Sequence, residues 1–256
     1  MKSKKLSSML RVDIRRMAAT SLFPIMLVIS FVMPILILVM TSMVAGTTVA
    51  NPQTGMETTM EAFTNTWQII GSSGGMMQMD MTAMCNINLI YFMAGVFVCL
   101  FVAEDFRSGY AKNLFTVRAK KKDYVASKTI VGTIAGAFML LAFFLGAVLG
   151  GGIAGLPFTL SAVGVFGLIM CMLAKVLLMG VFVAIAVAVS CYGKQRSWLS
   201  ILLFAFAGML LFMMIPMMTP LDATILHVVL CGAGAAMFGF GLGTVSNMLL
   251  SKRDLV

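Results

Sequence analysis

Charge is scarce in this chain, and negative charge is scarcest. Of its 256 residues 11% are charged, against about 25% in soluble globular domains, and nine are Asp or Glu. There is one histidine, His227, and the five cysteines (Cys85, Cys99, Cys171, Cys191 and Cys231) contain no CxxC pair. One histidine is no ligand set. An odd number of scattered cysteines is neither a disulfide framework nor a zinc site, and each reads as a small buried apolar side chain. The carboxylates form no Ser-His-Asp arrangement and no acid–base pair of the kind that general acid–base or covalent catalysis needs. These absences exclude an ordinary soluble domain and leave no support for an enzyme.

Hydrocarbon is what the chain has instead. Sixty-one per cent of its residues are hydrophobic and the mean hydropathy is +1.03, more apolar surface than one soluble core of this size can hide. Six apolar runs stand out: 22–44, 82–103, 130–153, 163–189, 199–218 and 225–250. About 20 apolar residues match the roughly 30 Å hydrocarbon core of a bilayer, where every backbone N–H needs an internal partner, so each run is expected to be a helix. No strict alternation of the β-barrel kind occurs. The first run is too long for the apolar part of a cleavable signal and reads as a retained span. The expected fold is an all-α integral membrane domain of six transmembrane helices over residues 1–256.

The basic residues give that map a direction. Lys2, Lys4, Lys5, Arg11, Arg15 and Arg16 precede the first run, and seven more lie between the second and third. Lys194 and Arg196 lie between the fourth and fifth, and Lys252 and Arg253 follow the sixth. The opposite segments, 46–81, 154–162 and 219–224, contain no Lys or Arg. By the positive-inside rule both termini are cytoplasmic. The net charge of +9 is thus a topology signal with some attraction to anionic lipid, and it does not indicate nucleic acid. Residues 1–21 carry Leu6, Leu10, Ile14 and Met17 at helical spacing, as an amphipathic helix lying on the inner leaflet would. In the outer segment 46–81, Met56, Met60, Phe63, Trp67 and Ile70 share a helical stripe, so a short helical cap is expected there. Pro34 and Pro216 should bend the first and fifth spans.

The stretch "EDFRSGYAKNLFTVRAKKKDYVASK", Glu104–Lys128, holds seven of the 18 Lys and Arg in 25 residues. Phe106, Tyr110 and Leu114 recur at i, i+4 and i+8, with Phe115 and Val117 extending the apolar side and Arg107, Lys112 and Arg118 placed elsewhere. Gly109 offers a bend, and Asp123 is placed to cap a helix that runs on into the third span. A solvated basic loop would fix topology with fewer charges and no aromatic stripe. The pattern points to a helix–basic turn–helix that a partner can grip from below.

This segment resembles the cytoplasmic coupling segment of ABC-2 type permeases, the six-span membrane subunits of ABC exporters. Asp105, Gly109, Leu114, Arg118 and Lys128 occupy the positions of that family's acidic residue, glycine, leucine, arginine and lysine. The wording "DFRSGYAKNLF" is most similar to small permeases of Gram-positive bacteria, including those of peptide-antibiotic resistance and lantibiotic immunity. The resemblance implies two ABC ATPase subunits beneath a pair of permease subunits, identical or related, in the bacterial cell membrane. It implies ATP and Mg on the partner ATPase, no cofactor on this chain, and export of an amphipathic cargo such as a hydrophobic peptide. Phe106, Tyr110 and Leu114 would pack in the ATPase cleft, and Asp105, Arg107, Lys112 and Arg118 would make its polar contacts. The chain has no GxxxxGK[ST] loop; its one Gly-Lys pair, Gly193–Lys194, has Ala188 and Gln195 where Gly and Ser or Thr are needed.

Three polar residues interrupt the spans. Lys175 sits in the fourth run, where an ammonium costs roughly 2.5–3.5 kcal/mol on insertion scales. It either snorkels or pairs structurally, with 162–173 lying on the outer surface, or it touches cargo or a gate. Asn86 and Asn88, at the outer end of the second run, divide between helix–helix bonding and pathway lining in the same way. Met76, Met77, Met79, Met81 and Met84 leave open a second reading, Cu(I) held by thioethers, although the chain has 26 Met in all. A third reading, a gradient-driven transporter, needs reactive groups within the spans, and these are nearly absent.

Overall fold

Long apolar runs satisfy their backbone hydrogen bonds internally as helices, and they do so in the computed structural model of the chain. It describes residues 2–44, 48–50, 57–59, 63–71, 86–116, 120–160, 164–212 and 214–252. In chain order the helices are α1 (Lys2–Ala19), α2 (Leu22–Val44), α3 (Leu89–Arg107), α4 (Tyr110–Thr116), α5 (Lys121–Ile153), α6 (Gly164–Gly193), α7 (Ser197–Phe212), α8 (Ile215–Met218) and α9 (Ile225–Lys252). Five of them, α2, α3, α5, α6 and α9, are long and apolar enough to cross a membrane. The remaining apolar run is broken. Helix α7 has 16 residues, and the chain resumes helix at α8 with Pro216 in its first turn, where a residue without an N–H does least harm. The fold is a helical bundle integral to the membrane, and α7 with α8 occupies the run expected as the fifth pass.

Helix α6 is the hub, packed against α3, α5, α7 and α9. Stacked Tyr91 and Phe182, with ring centroids 4.8 Å apart, join α3 to α6. Helix α2 lies along α5, closely enough that a Cβ on Gly146 would press on the Phe31 carbonyl oxygen and approach the Pro34 ring to 2.8 Å. The faces turned away from this core are apolar too. Val28, Leu36 and Met40 on α2, Leu141 and Leu149 on α5, and Leu226, Met237 and Phe240 on α9 are exposed, as helices solvated by lipid should be.

The segment between α2 and α3 departs from the helical cap expected at 55–70. Thr48–Ala50 and Glu57–Thr59 pair as antiparallel strands, and among the described residues of this segment the helix is one 3₁₀ turn at Thr66–Ile69. β-branched Thr58 and Thr59 favour extended backbone. Asn65, itself extended, caps a new start by accepting the Trp67 N–H, with Gln68 closing the box. The stripe of Phe63, Trp67 and Ile70 is real, but it records contact with the bundle: all three are buried, Trp67 between Phe144 and Phe158. Met56 and Met60 of that stripe, the methionines at 76–84 and Cys85 lie outside the described residues. The four described cysteines are free and buried.

If close helix approach holds α2 on α5, Gly146→Ala should lower stability by about 1–3 kcal/mol through overpacking. Gly239→Ala, where a Cβ meets nothing within 4 Å, should be neutral or slightly stabilising. Thermal unfolding of both variants in detergent checks the contrast.

Candidate functional site

The basic end of the bundle is organised around a carboxylate. Helix α3 ends with Asp105 facing inward, fully buried, beside exposed Glu104. One of its oxygens meets Lys128 Nζ at 2.7 Å and accepts the Tyr124 hydroxyl at 3.0 Å, both from the first turns of α5. Its other oxygen contacts Arg16 Nη1 of α1 at 2.7 Å, off the direction of a good hydrogen bond, so this contact is chiefly ionic. Asp13, one turn before Arg16, takes Lys128 Nζ at 2.9 Å and the Ser127 hydroxyl at 2.6 Å. Two carboxylates and two cations thus alternate across α1, α3 and α5.

The short helix α4 is seated on this cluster. Gly109 makes the turn from α3 with φ +72°, a conformation that strains any side chain. The Tyr110 ring then lies under the Arg16 guanidinium at 3.9 Å, a cation–π contact that partial burial strengthens. Burial works against the Arg16 charge, but Asp105 outweighs it and the pKa stands above its ordinary value. Burial also lifts the Tyr110 hydroxyl, with Asp13 adding to the rise while Arg16 pulls against it. Arg16 therefore stays charged and Tyr110 neutral throughout the physiological range. Leu114 and Phe115 pack on the core, Phe115 edge-on to Tyr124 at 5.4 Å, and Phe106 meets the same ring at 6.4 Å.

The structure therefore redistributes the residues of the coupling motif. Asp105 and Lys128 present no contact surface; both are locked inside the chain. Of the three residues expected to pack into a partner, Tyr110 and Leu114 hold α4 on its own bundle, while Phe106, at the end of α3, packs on Tyr124 and lines a cleft beside α4; all three stay half-buried. What α4 turns outward is polar: Lys112, Asn113 and Thr116 are exposed. Arg107 is exposed as well, steadied by its bonds to the Gln195 carbonyl at 3.2 Å and the Ser197 hydroxyl at 3.0 Å. Arg118 and Val117 lie outside the described residues. The residue flanking the start of α5 is Lys120, with no side-chain cap, and Asp123 sits inside the first turn, where its charge still suits the helix dipole.

Sequence reasoning missed Asp13 and Ser127 and took Arg16 only as one of the charges that orient the chain. One signal was available. Asp13 is the sole carboxylate in a segment with six cations, and such a residue needs a reason.

A second polar cluster lies toward the opposite end. Lys175, 1% exposed, sits about 16 Å along α6 from Gly164 at 1.5 Å per residue. It donates to Asn88 Oδ1 at 3.0 Å and to the Thr219 hydroxyl at 2.9 Å. Asn86 Oδ1 accepts the Asn88 N–H at 3.0 Å, so all three suspected pathway residues meet in one place, with Thr219 as an unforeseen fourth. Lys175 does not snorkel, and α6 is one continuous helix from Gly164 rather than a surface segment followed by a span. Among the described residues, no carboxylate lies within 4.0 Å of its ammonium.

Apolar passes around a buried polar hub, with a short helix at the basic end, define a multi-pass membrane protein. The sequence model of the family described as ABC-2 family transporter protein matches residues 14–211, from α1 through α7. The chain belongs to that family and is the permease component of an ABC transporter, whose members work with an ABC ATPase partner. No curated protein and no solved structure matches it.

Removing one partner from a buried ion pair typically costs about 3–5 kcal/mol. Asp105→Asn should therefore destabilise the protein on that scale and speed tryptic cleavage after Arg11 and Arg15 as α1 comes away. Glu104→Gln, at the exposed neighbouring position, should leave both the unfolding temperature and the cleavage rate unchanged.

Proposed function

We propose that this chain is the membrane subunit of an ATP-driven exporter, coupled through α4 to separate ATPase subunits that carry ATP and Mg. The observation that carries this reading is the mounting of α4. A seven-residue helix is too short to be stable alone, yet this one is fastened by a charge cluster to α1, α3 and α5 while its polar face points away from the bundle. A push on that face reaches two spans and the amino-terminal helix together.

The working cycle is a population shift. Closure of two ATPases on ATP moves the α4 helices of two paired permeases, and the bundles exchange an inward-open for an outward-open arrangement. The positive-inside bias supports a cytoplasmic position for both termini and α4, and the coupling segment's wording favours a bacterial cell. The outer faces of the spans are apolar, and apart from the cluster at the basic end Lys175 is the one buried charged side chain among the described residues. Such a path suits amphipathic cargo drawn from the membrane, a hydrophobic or antimicrobial peptide being the class that the coupling segment's wording favours.

Affinity purification from the native membrane in a mild detergent should bring down a P-loop ATPase in stoichiometric amount. Lys112→Glu combined with Asn113→Glu, on the exposed face, should release it while the permease keeps its unfolding temperature. Recovery of the folded permease alone from several mild detergents, with no ATP hydrolysis, would refute the reading.

A further inference from the structure

Between α4 and the turn from α6 to α7 lies an open cleft of about 620 Å³. Arg107 and Lys112 line one wall, Lys194 and Arg196 the other, and no carboxylate is among the described lining residues. Such a cleft is matched to a dianionic or polyanionic group, and the amino end of α7 adds its helix dipole. Charge alone would suit an acidic protein surface equally well. Two further features separate the possibilities.

The first is the level at which the cleft sits. Tyr192 lines it, 45% exposed, and Trp198, the chain neighbour of the lining residue Leu199, is 63% exposed. Exposed Tyr and Trp at the end of a span mark the headgroup layer. The second is where the cleft leads. Leu199 forms part of its lining, and Leu202, Phe206 and Leu210 continue the same face of α7, exposed at 57%, 70% and 70%. Eleven helical rises, from Leu199 to Leu210, carry this stripe about 16 Å into the apolar zone, a length comparable to a fatty acyl chain. The opposite face of α7, with Ser200, Phe204 and Gly208, is the buried one.

We propose that this cleft is a binding site for an anionic phospholipid. The phosphate is held between Arg107, Lys112, Lys194 and Arg196, and an acyl chain lies along Leu202, Phe206 and Leu210. Arg107 is already steadied by Gln195 and Ser197 across the cleft, so part of the site is organised before the lipid arrives. Occupancy would join α4 to the α6–α7 turn through the headgroup. The inference requires only that the chain spans a membrane; Lys112 also lies on the face proposed to meet the ATPase, so the variants that test the lipid site are placed on the other wall, at Lys194 and Arg196.

The chain carries its own reporter. It has two tryptophans, and Trp67 is buried at the far end with its Nε1 lacking a partner, so Trp67→Phe leaves Trp198 as the sole fluorophore. The full-length Trp67→Phe protein is reconstituted in mixtures of dibrominated phosphatidylglycerol or dibrominated phosphatidylcholine with their unbrominated forms. Quenching of Trp198 then gives the relative binding of the two lipids. The expected preference for phosphatidylglycerol is about fivefold or more, falling below about twofold in Lys194→Gln/Arg196→Gln. Lys120→Gln/Lys122→Gln removes the same charge from exposed positions at the same end and should keep the preference. Equal quenching by both lipids in the parent, or equal loss in both double variants, overturns the site. Loss of the preference in glycerol 3-phosphate, but not in sodium chloride of matched ionic strength, would assign the cleft to a soluble phosphate and overturn the lipid. A parent without lipid preference whose Lys194→Gln/Arg196→Gln variant sheds a co-purifying protein would assign it to that protein instead.

Discussion

Asp105 cannot be buried alone. Taking a carboxylate out of water costs several kcal/mol unless cations and hydrogen bonds compensate, and its compensation comes from Arg16, Lys128 and Tyr124. Lys128 in turn needs Asp13 to balance a second interaction, and Asp13 lies on the same helix as Arg16. The cluster closes on itself, so no member can move far without stranding another. That closure ties α1 to the bundle, sets how the end of α3 meets the start of α5, and supplies the guanidinium on which Tyr110 rests. The position of α4 follows from it.

The other polar cluster has a different character. Lys175, Asn88 and Thr219 form a hydrogen-bonded set on α6, at the start of α3 and beyond α8. Asn88 and Asp105 stand at opposite ends of α3, about 25 Å apart at 1.5 Å per residue. Between them the helix is held by apolar packing and by the Tyr91–Phe182 stack. Helix α3 is thus pinned by directional contacts at both ends and by non-directional ones between. A displacement at α4 has a mechanically continuous route to Lys175, along a helix rather than through a loop.

Much of this was legible in the residues. The apolar runs, the continuity of the sixth, the break near Pro216 and the amphipathic start all depend on local composition and period, and these survive whatever the chain packs against. Asn86, Asn88 and Lys175 were identifiable as suspects because polar groups in an apolar run stand out. Their joining was not legible, since 87 residues separate Asn88 from Lys175. The segment around Phe63, Trp67 and Ile70 shows the converse failure. A stripe that reads as helix was produced by burial against Phe144 and Phe158, and Asn65 chose the local conformation.

By itself the sequence determined that the chain lives in lipid, how many times it runs apolar, which end carries the positive charge, and that a short segment between α3 and α5 is unlike the rest. These are properties of composition and spacing, and transfer from water to hydrocarbon acts on them residue by residue. Only the tertiary structure decided which way that short segment faces. Phe106, Tyr110 and Leu114 were available to a partner or to the bundle, and Asp105 and Lys128 to solvent or to each other. For Asp105, Lys128 and Tyr110 the choice fell inward because Asp13 and Arg16, more than 85 residues earlier in the chain, are brought to the one place where three buried charges and the half-buried Arg16 neutralise one another.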